Sequence, residues 1–419
     1  MCFVKTAALL IFLAILLAGD DPGYKILGLF PWRGRSHAAM FQSVMKGLAL
    51  RGHQVHVLSH YPLETPIGEN YTDLSVRGSI PFNQIQFETF SFGNYDLDFI
   101  DLRGTIRLYT RIDTHENVMR SEAVRNLMRS KERYDLIITE TFVTDMALGF
   151  VHKFKVPFIF LSPCGTMTPW ANQLVANPQN PAIVPYFSSS FSPRMTFSER
   201  LINTLGLIAN MAAWRWFIVP RNEKIMHKYF GEDLPPLAEI ARNVSLILSN
   251  SHSVIVGSRP SVPAVVEVGG IHIEPTKKLP KDIAEFIESS THGVIYFCLG
   301  SLLRTASLPE SKKEAFLDAF SRLNERILWK NEDEDILVPQ NVMVKKWMPQ
   351  SDILAHPKVK LFISHGGLFG TLEAISAGKP ILGMPIFSDQ RMNLRSFEIH
   401  GSAKRLDYET VYGKSQEDL

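Results

Sequence analysis

The feature that most restricts this chain's fold is the stretch Trp347 to Gln390, WMPQSDILAHPKVKLFISHGGLFGTLEAISAGKPILGMPIFSDQ. In it an apolar run, Val359 to Ser364, predicts a buried strand that passes into the turn His365-Gly366-Gly367. A helix follows, Gly378-Lys379-Pro380 breaks it, and a second apolar strand leads to Asp389 and Gln390. A strand feeding a helix through such a turn aims the helix's first N–H groups and its positive dipole end at whatever sits above the turn. That arrangement favours a phosphate.

The start of the chain has the same grammar. Lys25 to Phe30 (KILGLF) is a buried-strand pattern bounded by Gly23 and Pro31, Ser36 is placed to cap a helix through about Leu50, and Gln54 to Ser59 (QVHVLS) is the next strand. A β-turn-α-β opening predicts a doubly wound parallel sheet, whose ligands bind beyond the carboxyl ends of its strands. The loop after the first strand carries one titratable group of interest, His37. Tyr134 to Thr139 (YDLIIT) is a further strand running into Glu140, with Asp145 on the segment that follows, and Phe154 to Leu161 is another. A histidine beside a carboxylate makes a general base, because the acid orients the ring and stabilises the imidazolium. Glu140 and Asp145 are both candidates for that acid. Taken alone, His37 reads better as a capped helix-start residue.

Ser245 to Ser249 is expected to close the first sheet, and the proline-containing span from about Ser258 to Pro275 to connect two domains, 24–265 and 266–419. The second α/β series begins with Val294 to Cys298 (VIYFC) and the tight strand end Leu299-Gly300-Ser301. A helix with Phe316, Ala319, Phe320 and Leu323 on one face comes next, then strands Arg326 to Lys330 and Asn341 to Trp347. Two consecutive α/β series place a cleft between their strand ends.

Composition removes alternatives. With 44 basic and 42 acidic side chains among 419 residues, the net charge of +2 gives no electrostatic reason to expect a nucleic-acid partner. The three cysteines form no disulfide framework and no metal-ligand spacing; Cys164 and Cys298 are expected as small buried residues. Lys5 followed by the apolar run Ala7 to Gly19 predicts a secretory signal peptide over residues 1–19, and no later segment is apolar enough to span a membrane. Asn70-Tyr71-Thr72 and Asn243-Val244-Ser245 are glycosylation sequons suited to the lumen that leader implies. From Pro163 to about Pro235 proline, methionine and aromatic residues are dense, with a helical pattern from Phe197 to about Phe217. Such a region suits an apolar pocket, a membrane-facing surface or plain helical packing.

His365-Gly366-Gly367-Leu368-Phe369-Gly370 lacks the G-x-G-x-x-G order of a dinucleotide fold, which argues against a dehydrogenase even though Asp389 follows at a suitable distance. Joined to Trp347-x-Pro349-Gln350 before it and Asp389-Gln390 after it, the turn resembles the signature of the UDP-glycosyltransferases, which conjugate small lipophilic molecules with a sugar. The resemblance also takes in the leader, Ser36-His37, Met195-Thr196-Phe197, Val268-Gly269-Gly270 and Leu299-Gly300-Ser301. The wording of GRSH and YDLIITETFVTD looks most like insect members.

The resemblance implies a GT-B-type fold of two Rossmann-like doubly wound domains facing a cleft. It implies an inverting, metal-independent transfer of a hexose from a UDP-sugar, a co-substrate rather than a resident cofactor, to a lipophilic hydroxyl compound. Glucose is favoured over glucuronic acid. Carried over, Trp347 would stack on uracil, Gln350 and Glu373 would bind the ribose, and Ser301, His365 and the N–H groups of Gly366, Gly367 and Gly370 would hold the diphosphate. Asp389 and Gln390 would read the sugar hydroxyls, and His37 would be the base. Phe369 stands where relatives often carry a polar residue. Relatives also continue further, through helices that pack back on the first domain to a membrane span, so the resemblance implies a C-terminal domain cut short at Leu419. Docking on a membrane face and homo- or hetero-oligomer formation are compatible with it.

Overall fold

The computed structural model describes residues 23–80, 85–86, 112–142, 144–187, 189–386 and 388–411, so the leader expected at residues 1–19 lies outside them. Backbone contacts divide the chain into two compact units, one built mainly from residues up to His272 and the other mainly from Ile273 onward.

The first unit holds a seven-stranded parallel sheet: β1 (Lys25–Phe30), β2 (Gln54–Ser59), β3 (Tyr71–Ser75), β4 (Leu136–Glu140), β5 (Phe158–Ser162), β6 (Leu246–Ser249) and β7 (Val265–Glu267). Their spatial order is β3-β2-β1-β4-β5-β6-β7. The order reverses between β1 and β4, where Leu29 pairs with Thr139, so both strands end side by side. Such a switch point is where an open α/β sheet binds its ligand. Leu27, Leu29, Ile137, Phe158, Phe160 and Ile247 belong to the buried core. Helix α1 (Arg35–Ala49) packs back on the sheet through Met40, Phe41, Met45 and Leu48, the i, i+1, i+5 and i+8 positions of one face.

The second unit repeats the plan. Strands β8 (Val294–Cys298), β9 (Arg326–Lys330), β10 (Val342–Lys345), β11 (Val359–Ser364), β12 (Ile381–Gly383) and β13 (Ala403–Arg405) form a parallel sheet in the order β10-β9-β8-β11-β12-β13. Alternation along β8 sends Ile295 and Phe297 to one core with Trp329 and with Phe316 and Phe320 of helix α5 (Glu310–Ser321). Val294, Tyr296 and Cys298 go to the other, with Leu328, Ile353 and Phe362. Both faces are covered, as a parallel sheet requires. The buried fit is tight enough that Phe297→Ala would cost about 3–5 kcal/mol.

Several expectations need correction. The first unit runs on to His272 rather than ending at residue 265, because β7 adds to the sheet edge after β6, which therefore does not close it. Ser36 is not the cap of α1: Gly34 occupies that position and no side chain caps the helix. The strand expected from Phe154 starts only at Phe158. Helix α2 (Ala147–Phe154) continues to Phe154, and Lys155, left-handed at φ 55°, ends it. The single helix expected from Phe197 is α3 (Phe197–Ala213), a π-turn at Trp214–Ile218, and α4 (Val219–Phe230). Cys164 and Cys298 are buried and unbridged, as expected. Among the described residues no helix is long and apolar enough to cross a membrane.

Candidate active site

Each unit carries a constellation at its own switch point. In the first, β1 leads through Pro31-Trp32-Arg33-Gly34 into α1, which sets His37 in the opening helical turn. Glu140 is the last residue of β4, and Thr139 before it donates to the Leu29 carbonyl (2.7 Å), locking the two strand ends together. His37 Nδ1 lies 2.5 Å from Glu140 Oε1, with the imidazole side chain 15% exposed and the carboxylate 2%. Phe142 meets the imidazole edge-on at 4.8 Å, and Phe41 does so at 6.4 Å. A buried carboxylate at Nδ1 fixes the ring's orientation and directs Nε2 away from it, the arrangement that general-base chemistry uses.

Asp145 is held elsewhere. Its Oδ2 accepts from the Asn222 amide of α4 at 3.1 Å, and burial pushes its carboxyl up to about 6, with the Asn222 bond opposing and the Glu223 charge reinforcing the rise. Of the two candidate acids, Glu140 is the one hydrogen-bonded to His37. Asn222 gives no sequence signal toward Asp145, since it lies on a distant helix.

In the second unit β11 ends at Ser364, whose neighbour in register is Cys298, the end of β8. His365 and Ser301 thus leave the sheet from adjacent strands. The imidazole of His365 is walled by two glycines. A Cβ on Gly300, at φ 82°, would stand 2.7 Å from its Cε1, and one on Gly367 would stand 2.5 Å from its Nε2. No other residue fits there without displacing the ring. Burial, with the Lys330 charge assisting, lowers the His365 pKa to about 4, and its Nδ1 is buried with no hydrogen-bond partner among the described residues. The ring is neutral at physiological pH, so it offers a hydrogen bond rather than a full charge.

Helix α7 (Leu368–Ser376) starts at Gly367, which brings no side-chain cap to its first turn. The Gly366 N–H is committed to Ser364 Oγ (3.2 Å) and its carbonyl accepts from Asn393 Nδ2 (3.1 Å). The Gly366 N–H is therefore engaged within the turn, and the helix's first turn, which no side chain caps, begins after it.

Beside this cradle, Gln350 opens helix α6 (Gln350–Ala355) and its amide donates to Glu373 Oε2 on α7 at 2.6 Å, passing close over Gly370. Burial raises the Glu373 pKa, and the Gln350 bond works against that rise. Trp347, just past β10, is 55% exposed, a large aromatic face left toward solvent. Asp389 precedes helix α8 (Gln390–Ile399), where Asn393 donates to its Oδ2 at 3.0 Å. Ser388 before it is left-handed at φ 59°, a conformation that costs a non-glycine residue about 1–2 kcal/mol. Gln390 is buried, and its Oε1 accepts from the Ile386 N–H at 2.7 Å, so it also braces the loop entering α8. Asn393 was missed by sequence reasoning. Its helical i+4 spacing from Asp389 is the signal that would have found it.

The chain matches the model of the family described as UDP-glucoronosyl and UDP-glucosyl transferase over residues 26–419. It belongs to that family. UDP-glycosyltransferase UGT5 of Dactylopius coccus is 41% identical over 400 residues, covering 93% of this chain and 74% of the relative. UDP-glucosyltransferase 2 of the same insect is 37% identical over 404 residues, covering 95% and 77%. Among solved structures, a UDP-glucose:anthocyanidin 3-O-glucosyltransferase in complex with UDP superposes with a TM-score of 0.56 at 16% identity, covering 94% of this chain and 87% of that one. The glycosyltransferase of kitacinnamycin gives 0.55 at 18%, covering 94% and 88%. The fold is accordingly GT-B, with two Rossmann-like domains, and the chain is a UDP-glycosyltransferase.

Proposed function

We propose that this UDP-glycosyltransferase moves a hexose, with glucose favoured, from a UDP-sugar to the hydroxyl of a small lipophilic acceptor by direct inverting displacement. The observation that carries the reading is the hydrogen bond between His37 Nδ1 and Glu140 Oε1. The base His37 takes the acceptor's proton on Nε2 as the acceptor oxygen forms its bond to the anomeric carbon and the bond to UDP breaks on the opposite face. Glu140 stabilises the imidazolium that results.

In the second unit Trp347 stacks on uracil, and the Gln350–Glu373 pair receives the ribose diol. Negative charge grows on the leaving diphosphate, where His365, Ser301 and the first turn of the helix beginning after Gly366-Gly367 stabilise it, with Gly370 inside that turn. Asp389 reads sugar hydroxyls, with Gln390 beside it. Nothing in this scheme calls on a metal ion, so turnover is expected to survive a chelator. Glucose is favoured because a relative at 37% identity is named a UDP-glucosyltransferase. The leader and the exposed asparagines of both sequons, Asn70 and Asn243, support a lumenal setting.

The test is an assay with UDP-glucose or UDP-glucuronic acid and a panel of phenols, run on wild type, His37→Ala and Glu373→Ala. Full turnover by His37→Ala would remove the base. Binding of UDP with no product from any acceptor would leave a nucleotide-binding protein instead.

A further inference from the structure

The loop that leads from β1 to His37 is gripped by two consecutive residues from the neighbouring strand end. Strands β1 and β2 run parallel and end together, with Phe30 opposite Ser59, so Pro31 and His60 leave the sheet side by side. His60 is buried, and its Nε2 lies 3.0 Å from the Pro31 carbonyl oxygen. A carbonyl only accepts, so that bond needs the proton on Nε2. Burial lowers the pKa of His60 to about 4 against the opposing pull of the Pro31 bond, so the ring is neutral at physiological pH and has one N–H to give. That N–H goes to the loop.

Tyr61 takes the next hold. Its N–H donates to Ser59 Oγ at 3.2 Å, a bend that turns the chain as β2 ends. Its hydroxyl donates to the Arg33 carbonyl at 3.4 Å, and its own carbonyl accepts from the Gln42 amide of α1 at 2.8 Å. The Arg35 guanidinium stands over its ring at 5.9 Å, and Arg33 donates to the Ile80 carbonyl. Pro31, Arg33 and Gln42 are thus three points at which His60 and Tyr61 hold the loop and the start of α1. Trp32, between two of those points, has its ring 6.5 Å from that of His37 and 5.6 Å from that of Phe142. A slip of this loop would carry His37 with it. Glu140, on a different strand, would not follow.

We propose that His60 and Tyr61 are positioning residues for His37, fixing the β1–α1 loop so that the imidazole keeps its bond to Glu140 and its Nε2 keeps its aim at the acceptor hydroxyl. A leucine would fill much of the space of the His60 ring but would leave the Pro31 carbonyl without its donor. The reacting atoms tolerate little of the movement that follows, since a misplacement of about 1 Å can cost about 10²-fold in rate. The inference rests on His37 being the base, and the two can fail separately.

The experiment is steady-state kinetics with UDP-glucose and the best phenol of the acceptor panel, on wild type, His60→Leu, His60→Gln and Tyr61→Phe, each made also in a His37→Ala background. His60→Leu should lower kcat by about 10- to 100-fold, with the acceptor KM and the calorimetric UDP dissociation constant within about twofold of wild type. His60→Gln, whose amide can place an N–H near the position of Nε2, should restore kcat to within a few-fold. Tyr61→Phe should cost about fivefold, the equivalent of one neutral hydrogen bond. In the His37→Ala background none of the three should lower the residual rate further, because the group they place is gone. Near-UV circular dichroism checks each variant's fold, and Tyr61→Phe carries the comparison if His60→Leu does not fold. Wild-type kcat in His60→Leu and Tyr61→Phe, or losses of the same size with and without His37, would overturn the proposal. So would a His60→Gln no faster than His60→Leu. Full turnover by His37→Ala would remove the base and this role together, whereas any of the preceding results beside a slow His37→Ala would remove this role alone.

Discussion

Glu140 meets His37 from the last position of its strand, whereas Asp145, on the turn that follows, binds Asn222 instead. The two carboxylates are therefore expected to behave differently on substitution. Glu140→Gln, which keeps the shape but cannot carry the compensating charge, should lower kcat by about 10²-fold or more. Asp145→Asn should leave kcat within a few-fold of wild type, and neither variant should change UDP affinity. Steady-state kinetics beside calorimetric titration of UDP separates these outcomes; equal losses in both variants would dissolve the distinction.

The bond from Gln350 to Glu373 sets a second expectation. It holds a largely buried carboxylate at the place where a diol would add two further donors. Glu373→Ala and Gln350→Leu should each weaken UDP binding by about tenfold, the equivalent of one lost hydrogen bond to a charged group. Deoxyuridine diphosphate should discriminate less between wild type and variants than UDP does. An unchanged UDP dissociation constant in Gln350→Leu would show that this pair does not clamp the ribose.

The carboxyl of Asp145 predicts a pH effect on stability. Its folded pKa is raised from 3.8 to about 6, so between those values the folded state holds a proton that the unfolded state releases. Stability from this group is therefore present at low pH and lost as pH rises through about 6, by at most on the order of 2–3 kcal/mol. Asp145→Asn keeps a partner for Asn222 and does not ionise. Its melting temperature relative to wild type should climb across the window from pH 4 to 6 and level off above it. A flat difference would mean that burial does not act on this carboxyl.

What the sequence revealed of all this follows from how local each signal is. Val294–Cys298, Arg326–Lys330 and Val359–Ser364 were legible to the residue, because each is a mostly apolar run with glycine or charged residues at or near its ends, and of their residues only Lys360 is exposed. Strand β7 was not, being three residues on a sheet edge with Val266 and Glu267 exposed. Phe154 read as strand because helix α2 ends in the same apolar run from which β5 begins, with only Lys155, Val156 and Pro157 between them. The choice between Glu140 and Asp145 depended on Asn222, which no spacing connects to either. Helix α3 displays a clear apolar stripe, Phe197, Leu201, Leu205 and Ile208, but it stays exposed while the buried Asn203 on the opposite side donates to the Pro181 and Val184 carbonyls, a tertiary fact that periodicity does not contain.

His365 completes the series with the opposite sign. Its folded pKa is lowered from 6.5 to about 4, because the ring sits in dense protein near the Lys330 charge. The unfolded state takes up the proton first, so the group's contribution to stability is intact above about pH 6.5 and drains away as pH falls toward 4. The full change is on the order of 3 kcal/mol, at about 1.4 kcal/mol for each pKa step of one. His365→Gln keeps a hydrogen-bonding side chain and removes the titration. The stability of wild type minus that of the variant, from urea unfolding in the absence of nucleotide, should therefore shrink on moving from near-neutral pH to about pH 4.5. Bound UDP should reverse part of that loss in wild type, since a diphosphate beside the ring favours its protonated form. A difference that stays constant across the range would mean that the ring is solvated, and that the two glycines do not enclose it.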